Sequence, residues 1–266
     1  MGFLFDLVST SCFKVVMELK SFATVCTNEC WEELAIHIFS LRKFHSQPIY
    51  VICDTETKIA MSQYDFPDVI YSTSADDLSF ENAPKQMGTF HNVGIINKKM
   101  DALSEAILLF GNSLFLDCDI VAVSPLYSEI KHSIMLSPHY YPQNVEENCK
   151  NFGYYNAGYV FSDTSDLPNK WREIFLQRSS FYEQEGMVRL HEDFEIAKFS
   201  EKHNVGAWRN LANLGKVKSF HAHLTDKMFA KADDRLSDSM YSMREFVMRY
   251  LRRNHLDIFD FVRGVL

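Results

Sequence analysis

The sequence contains few chain-breaking residues and no long apolar segment. Only 10 glycines and 7 prolines occur among 266 residues, so a collagen-like or low-complexity chain is excluded. No run of about 18 apolar residues exists, which predicts that no helix spans a membrane. Hydrophobic residues nevertheless make up 47% of the chain and charged residues 23%. That balance is typical of a globular protein with a sizeable core.

Positive charge and phosphate-binding loops are also lacking. Lys and Arg number 27 against 35 Asp and Glu, giving a net charge of −8. A chain this acidic is poorly suited to wrapping nucleic-acid phosphates, so we expect no nucleic-acid partner. Neither GxxxxGK[ST] nor GxGxxG occurs, which argues against a P-loop enzyme and a dinucleotide-dependent dehydrogenase.

The six cysteines do not form a metal-binding pattern. Cys26 and Cys30 are close together, but no second pair follows at the spacing of a zinc module. Buried free thiols in a reducing compartment, and therefore a cytoplasmic location, are the prediction. The apolar first residues carry Asp6 and lack a basic start, so they make a poor signal peptide, and either Met1 or Met17 remains open as the start.

Hydrophobic periodicity predicts a β-α-β unit within the first 55 residues. The stretch 21–27 alternates as a strand, a helix follows it, and an apolar strand over 48–54 ends at Asp54. This order favours a parallel sheet with right-handed crossovers. Further helices are predicted over 97–111, 168–178 and 191–203, with strands at 113–125, 132–138, 154–162 and 217–224.

The predicted fold is therefore α/β, with a Rossmann-like, mixed, mostly parallel sheet flanked by helices and a C-terminal helical extension. We divide the chain into an N-terminal extension (1–19), a main domain (20–232) and a C-terminal helical tail (233–266). Over residues 241–266 of the tail, arginines outnumber acids and an apolar stripe accompanies them. One possibility is that the tail packs on the core or forms a homodimer interface. The other is that it lies on a membrane surface as a peripheral helix.

A pair of acids interrupts an apolar strand in the segment FLDCDIVAV. Alternation along a strand places Asp117 and Asp119 on one face, with Cys118 opposite. Two adjacent carboxylates repel each other unless a positive charge neutralises them. Oxygen ligands suit Mn²⁺ or Mg²⁺, which also bridge phosphates, so we predict a metal site here. The alternative is that the strand ends and its acids are solvated.

Three further segments accompany this acid pair: NKKMDALSEAI before it, YYNAGYVF at 154–161, and SFHAHLTDK at 219–227. Over roughly residues 20 to 228, the chain resembles GT-A-fold glycosyltransferases of the glycogenin-like and lipopolysaccharide galactosyltransferase-like groups. The resemblance implies a metal-dependent transferase, with a hexose as the default sugar. It would move that sugar from a nucleoside-diphosphate donor, UDP by default, to a glycan, lipid-linked or protein acceptor. Retention or inversion of configuration stays open.

The resemblance also implies a donor-sugar pocket and a third metal ligand. Asn156, Ala157 and Gly158 would line the sugar, since small residues let a ligand approach the backbone and an amide both donates and accepts. His221 would complete the metal site with Asp117 and Asp119, and Lys227 would hold the pyrophosphate. The family glycine is absent here, since Leu224 or Thr225 stands in its place. That departure leaves His223 as a rival ligand.

A second acidic pair, Glu192 and Asp193, is predicted at the head of a helix. In inverting members of the family a carboxylate at such a place is the general base, and in retaining members it orients the sugar. We choose Asp193 for that role. The alternative is that both acids are first-turn residues of an exposed helix, which the helix dipole favours.

The nucleotide would meet the loop after the first strand and neighbouring side chains. Carboxyl ends of strands bind ligands in open α/β sheets, which makes Asp54 a candidate beside the first loop. Lys98 or Lys99 would neutralise phosphate. The complete set of nucleotide-contact candidates is Thr24, Cys26, Thr27, Asp54, Lys99 and Cys118.

Three other functions compete with sugar transfer. A non-catalytic carbohydrate-binding protein on the same fold is consistent with the aromatic loop HYYPQN (139–144) and the missing glycine. A sugar-1-phosphate nucleotidyltransferase requires a glycine-rich, basic loop after the first strand, but the loop here is TNECWEE. A nuclease would need a basic groove around its acids, and none is evident.

Overall fold

The computed structural model describes residues 17–76, 93–178, 183–211, 214–225 and 234–266. The strands are β1 (Phe22–Cys26), β2 (Ile49–Cys53), β3 (Val69–Ser72), β4 (Ser113–Leu116), β5 (Ile120–Ala122), β6 (Ile134–Pro138), β7 (Tyr155–Ser162), β8 (Ala197–Lys198) and β9 (Ser219–His221). The α-helices are α1 (Trp31–Arg42), α2 (Thr55–Met61), α3 (Val93–Phe110), α4 (Val145–Phe152), α5 (Asp166–Arg178), α6 (Asp234–Asn254) and α7 (Leu256–Val265). Short 3-10 helices span Asn28–Cys30, Tyr127–Glu129 and Glu185–Glu192.

A seven-stranded mixed sheet forms the centre of the molecule, in the order β3-β2-β1-β4-β7-β6-β8. The strands from β3 to β4 are parallel, β7 runs antiparallel to both neighbours, and β8 is parallel to β6. The predicted mostly parallel α/β sheet is therefore confirmed. Strands β5 and β9 form a separate antiparallel pair.

The two faces of the sheet pack against different helices, as the alternation of side chains along β1 shows. Ala23 and Val25 pack with α3 and α5 in one cluster, whereas Phe22 and Cys26 pack with α1 in another. A strand buried on both faces requires apolar residues at successive positions, and β1 has them. The sheet is thus a middle layer between helices.

The apolar strand predicted through the acid pair does not exist as one strand. Strand β4 ends at Leu116, a turn closes with the Ile120 amide donating to the Asp117 carbonyl at 3.1 Å, and β5 joins the other sheet. The prediction that Asp117 and Asp119 share a strand face is therefore wrong. Alternation holds only along a continuous strand, and the change of sheet breaks it.

Three local predictions also differ from the structure. The helix predicted over 191–203 is replaced by the 3-10 helix Glu185–Glu192 and by β8, because residues 197–198 pair with the edge of β6. Helices α2 and α4 lie where the sequence indicated only irregular chain. Asp54 begins α2 by accepting a hydrogen bond from the Thr57 amide at 2.7 Å, which is a typical N-cap.

The C-terminal helices cover the small sheet. Met243, Val247 and Leu251 of α6 and Val262 of α7 are buried in a third cluster, which contains Phe220 of β9. Leu256 of the predicted apolar stripe is 60% exposed. The predicted C-terminal helical extension is confirmed, and its buried residues contribute to the core. Among the described helices, none is both long and apolar enough to cross a membrane.

Candidate metal centre and active site

Asp119 lies between two histidines at the junction of the two sheets. One carboxylate oxygen is 3.2 Å from His221 Nε2 and the other is 2.5 Å from His223 Nδ1. The three candidate ligand atoms lie within 4.8 Å of one another. Both histidines, which were rivals in the sequence, therefore reach the same carboxylate.

Backbone pairing brings these side chains together. Ile120 of β5 lies opposite His221 of β9, and the Ala222 amide donates to the Asp119 carbonyl at 3.0 Å. His223 then has φ of 43°, a left-handed conformation that is uncommon outside glycine. Such strain persists only where surrounding contacts impose it. Here it turns the ring back onto Asp119.

The electrostatics of the cluster favour a buried ion pair. Burial opposes ionisation of Asp119, but the two histidines hold the pKa of its carboxyl well below the usual value. Burial likewise disfavours the His223 imidazolium, yet Asp119 raises the pKa of His223 to about 9. In the absence of a metal, protonated His223 therefore balances the charge of Asp119.

The same residues fit a divalent cation. Asp119 Oδ1 and His223 Nδ1 are buried, and outside the close contacts within the cluster neither has a hydrogen-bond partner among the described residues. Buried polar atoms are normally paired, and unpaired ones call for an explanation. One carboxylate oxygen and two imidazole nitrogens form a sound donor set for a first-row divalent metal, which would replace the proton on His223.

A chain of amides orients His221 toward this set. His221 Nδ1 lies 3.0 Å from Asn204 Oδ1 and donates to it, so Nε2 is the ring nitrogen that faces Asp119. Asn204 Nδ2 donates in turn to Asn156 Oδ1 at 3.0 Å. Metal-binding histidines typically have their other ring nitrogen held in this way. No sequence pattern indicated Asn204, although asparagine is one of the residues that tolerate its φ of 53°.

Asn156, predicted to contact the donor sugar, has both ends of its amide engaged. Its Oδ1 also accepts from the Gly158 amide at 2.9 Å, and its Nδ2 donates to His139 Nε2 at 3.3 Å. The His139 Nδ1–H donates to the Gly153 carbonyl at 3.1 Å. These contacts connect the middle of β7 to the metal cluster through side chains that are buried.

Asp117 lies in a different environment from Asp119. Lys99 Nζ is 2.9 Å from one Asp117 oxygen and 3.0 Å from Glu183 Oε1. Burial acts to lower the pKa of Lys99, but the two carboxylates outweigh it and raise that pKa overall. Asp117 is absent from the cluster that could hold a metal. Its predicted metal role is untested, and Lys99 neutralises it here.

Gly158 is required at its position by the Asp117 side chain. A Cβ built on Gly158 would lie 2.3 Å from Asp117 Oδ2 and 2.7 Å from its Cγ. No side chain fits at that distance without displacing the carboxylate. Gly158 therefore provides the space that the Asp117 carboxylate occupies. Ala157, beside it in the chain, is buried.

The nucleotide-contact candidates lie around the end of β1. Asp54 Oδ2 accepts from the Asn28 amide at 2.8 Å, which joins the ends of β1 and β2. A hydrogen bond with Cys26, together with burial, raises the pKa of the Cys118 thiol well above its usual value. The end of β1 thus contacts the acid-pair turn through two neutral thiols. Thr24 is fully buried and Thr27 nearly so, whereas Lys227 lies outside the described residues.

The second acidic pair lies at the surface. Asp193 follows the 3-10 helix rather than heading a helix, and its carboxylate is 3.3 Å from Lys170 Nζ. Glu192 pairs with Arg189 at 3.2 Å. Their side chains are 44% and 62% exposed. The predicted helix start is wrong, and the predicted catalytic role stays a prediction.

Comparison with known proteins establishes the fold. No protein-family model and no curated protein matches the sequence. Among solved structures, the chain is similar to an active-site mutant of LgtC, with a TM-score of 0.50, 12% identity, and coverage of 85% of this chain and 95% of that one. The galactosyltransferase LgtC in complex with donor and acceptor sugar analogues gives a TM-score of 0.49 at 12% identity, over 85% and 94% of the two chains. The chain has the GT-A fold.

Proposed function

We propose that this protein is a metal-dependent glycosyltransferase, which moves a sugar from a nucleoside-diphosphate donor to an acceptor hydroxyl. The observation that carries the proposal is the Asp119, His221 and His223 cluster, which lies where the acid-pair turn of a GT-A sheet meets β9. UDP-hexose is the default donor, and a glycan or lipid-linked molecule is the acceptor. The free thiols favour a cytoplasmic location.

Asp119, His221 and His223 would hold Mn²⁺ or Mg²⁺. The bound ion would supply Lewis-acid stabilisation of the negative charge that develops on the departing diphosphate. Asn204 keeps the Nε2 lone pair of His221 directed at the cluster. Lys99 keeps Asp117 paired, so that only one carboxylate of the motif is left for the cation.

Asn156, Ala157 and Gly158 would shape the donor-sugar side of the site. Strand β7 is buried along its whole length, and the Asn156 amide is held by three neighbours. A rigid wall of this kind orients a sugar without rearrangement. Asp193 would accept the proton of the acceptor hydroxyl in an inverting reaction, which requires it to leave Lys170.

The non-catalytic alternative is favoured by one specific observation. Asp193 is exposed and paired with Lys170, so no carboxylate of the second acidic pair is buried beside the cluster. A sugar-binding protein on this fold would need no base there. The purified protein, incubated with UDP-hexoses and Mn²⁺, separates the two functions. Release of UDP supports the transferase, and sugar binding without release supports the alternative.

The decisive experiment measures UDP binding by calorimetry with and without Mn²⁺. Asp119→Asn should abolish the Mn²⁺-dependent part of the binding, because it removes the anionic ligand that both histidines face. Asp65→Asn is the matched control, since Asp65 is exposed and outside the cluster. Unchanged Mn²⁺-dependent UDP affinity in Asp119→Asn, with a normal circular dichroism spectrum, overturns the metal site.

A further inference from the structure

A cavity of about 290 Å³ lies beside the turn that follows Asn204. Its lining includes three basic residues, Lys202, Arg209 and Lys216, and one acid, Glu201. This balance is opposite to that of the chain, whose net charge is −8. A local excess of positive charge in an acidic protein indicates a place that attracts anions.

Arg209 is the buried member of this set. Its side chain is 9% exposed, and Nε and Nη2 have no hydrogen-bond partner among the described residues. These two nitrogens lie on the same edge of the guanidinium, the edge that binds a carboxylate or phosphate with two parallel hydrogen bonds. Burying an unpaired charge costs several kcal/mol, so an anion that pairs with this edge would recover that cost.

The guanidinium is held in place before any ligand arrives. Its carbon lies 4.5 Å from the centre of the Tyr140 ring, a cation–π contact. The Tyr140 hydroxyl donates to the Phe199 carbonyl, and the Arg209 amide donates to the Gly206 carbonyl at 3.0 Å. A fork that is already positioned loses little conformational entropy on binding.

The neighbouring acid does not satisfy the arginine. Glu201 is exposed and attracts the guanidinium only at longer range, without a hydrogen bond to Nε or Nη2. Burial lowers the pKa of Arg209 to about 10, so the side chain remains charged at neutral pH. Lys202 and Lys216 are exposed where they line the cavity.

We propose that this pocket binds the phosphate or carboxylate group of an anionic ligand, held by Nε and Nη2 of Arg209 and attracted by Lys202 and Lys216. The site is separate from the metal cluster and does not depend on the proposed sugar transfer. It adjoins that cluster through Trp208, whose ring meets His221 edge-on at 5.2 Å between centroids. Binding beside Trp208 is therefore expected to change its fluorescence.

Calorimetric titration of the full chain with inorganic phosphate tests the proposal, at constant ionic strength and without metal. We expect saturable binding of one phosphate, weakened at least about tenfold in Arg209→Gln because two charge-assisted hydrogen bonds are lost. Arg252→Gln, which removes an exposed arginine of α6, should bind as the wild type does. Asp119→Asn should also bind normally, which separates this pocket from the metal cluster.

Two further arms complete the test. If Arg209→Gln fails to fold, the double variant Lys202→Gln/Lys216→Gln is measured instead, because both lysine side chains are exposed and their replacement should not disturb folding. Weaker phosphate binding by the double variant supports the proposal, and unchanged binding overturns it. Vesicles of phosphatidylcholine with and without phosphatidic acid distinguish a lipid phosphate from a free one. The absence of saturable phosphate, acetate and vesicle binding in the wild type also overturns the proposal.

Discussion

Asp117 and Asp119 are two residues apart in the chain, yet their surroundings neutralise them by different means. Asp117 faces Lys99, a cation whose charge persists at all physiological pH values. Asp119 faces two histidine rings, whose nitrogens can bind a metal ion. Asp117 and Lys99 therefore form a permanent ion pair that stabilises the fold. At Asp119, by contrast, a metal ion can replace the proton on His223. Substitutions on the two sides should therefore differ in their effects on stability and on metal binding.

Removing the cation from the Asp117 side should give the largest loss of stability. Lys99→Met leaves two mostly buried carboxylates, Asp117 and Glu183, without their shared partner. We expect the free energy of unfolding in urea to fall by about 3 to 5 kcal/mol. Lys98→Met is the control, because Lys98 makes only a longer, more exposed pair with Asp101 and should cost less than about 1 kcal/mol. Equal losses in both variants would contradict the ion-pair account.

A buried histidine without a carboxylate partner should respond to pH in the opposite direction from His223. Burial lowers the pKa of His45 to about 4, below the value of about 6.5 for an unfolded chain. Its contribution to stability is therefore complete above about pH 6.5 and is lost as the pH falls through 4, amounting to about 3 kcal/mol. His45 Nε2 accepts from the Leu126 amide, and His45→Gln keeps an acceptor there.

Urea unfolding of wild type and His45→Gln between pH 7 and pH 4 measures this effect. The variant should lose less stability over that range than the wild type does. Parallel curves for the two proteins would show that His45 is not a neutral buried group.

Filling the space between Asp117 and β7 should have an intermediate effect. Gly158→Ala places a methyl group 2.3 Å from Asp117 Oδ2, so the carboxylate must move away from Lys99. We expect a loss of about 2 kcal/mol in the free energy of unfolding. Gly215→Ala is the control, since no atom lies within 4 Å of its added Cβ, and it should stay within about 0.5 kcal/mol. An unchanged free energy of unfolding in Gly158→Ala would mean that β7 and the Asp117 turn are not closely packed.

Releasing His221 on the Asp119 side should weaken metal binding. Asn204→Gly tolerates the left-handed backbone but removes the acceptor for His221 Nδ1–H. We expect the affinity for Mn²⁺ to fall about tenfold, or 1.4 kcal/mol, by calorimetry. Asn144→Gly removes another asparagine of positive φ, at an exposed site, and should leave Mn²⁺ affinity unchanged. Equal affinities in the two variants would contradict an orienting role for Asn204.

Residue patterns along the chain predict much of this fold because they report local periodicity. Strands β1, β2 and β7 are mostly apolar and buried at every position, and α3 has an apolar face that Gly111 terminates at a φ of 92°. The helix predicted over 191–203 failed because Ala197 and Lys198 pair with β6. That pairing joins residues about 60 positions apart, which no local period reveals.

The acid pair, together with the family resemblance of the later histidine segment, predicts that Asp119 and His221 lie together. The packing of distant segments sets how the charges are shared. It placed Asp117 against Lys99, brought His223 as well as His221 to Asp119, and added Asn204 behind His221. The physical reason is the break between β4 and β5, which directs the two acids to different sheets. The alternation of side chains along a strand predicts neighbours within one sheet only. The residues that contact each acid are therefore set by tertiary packing.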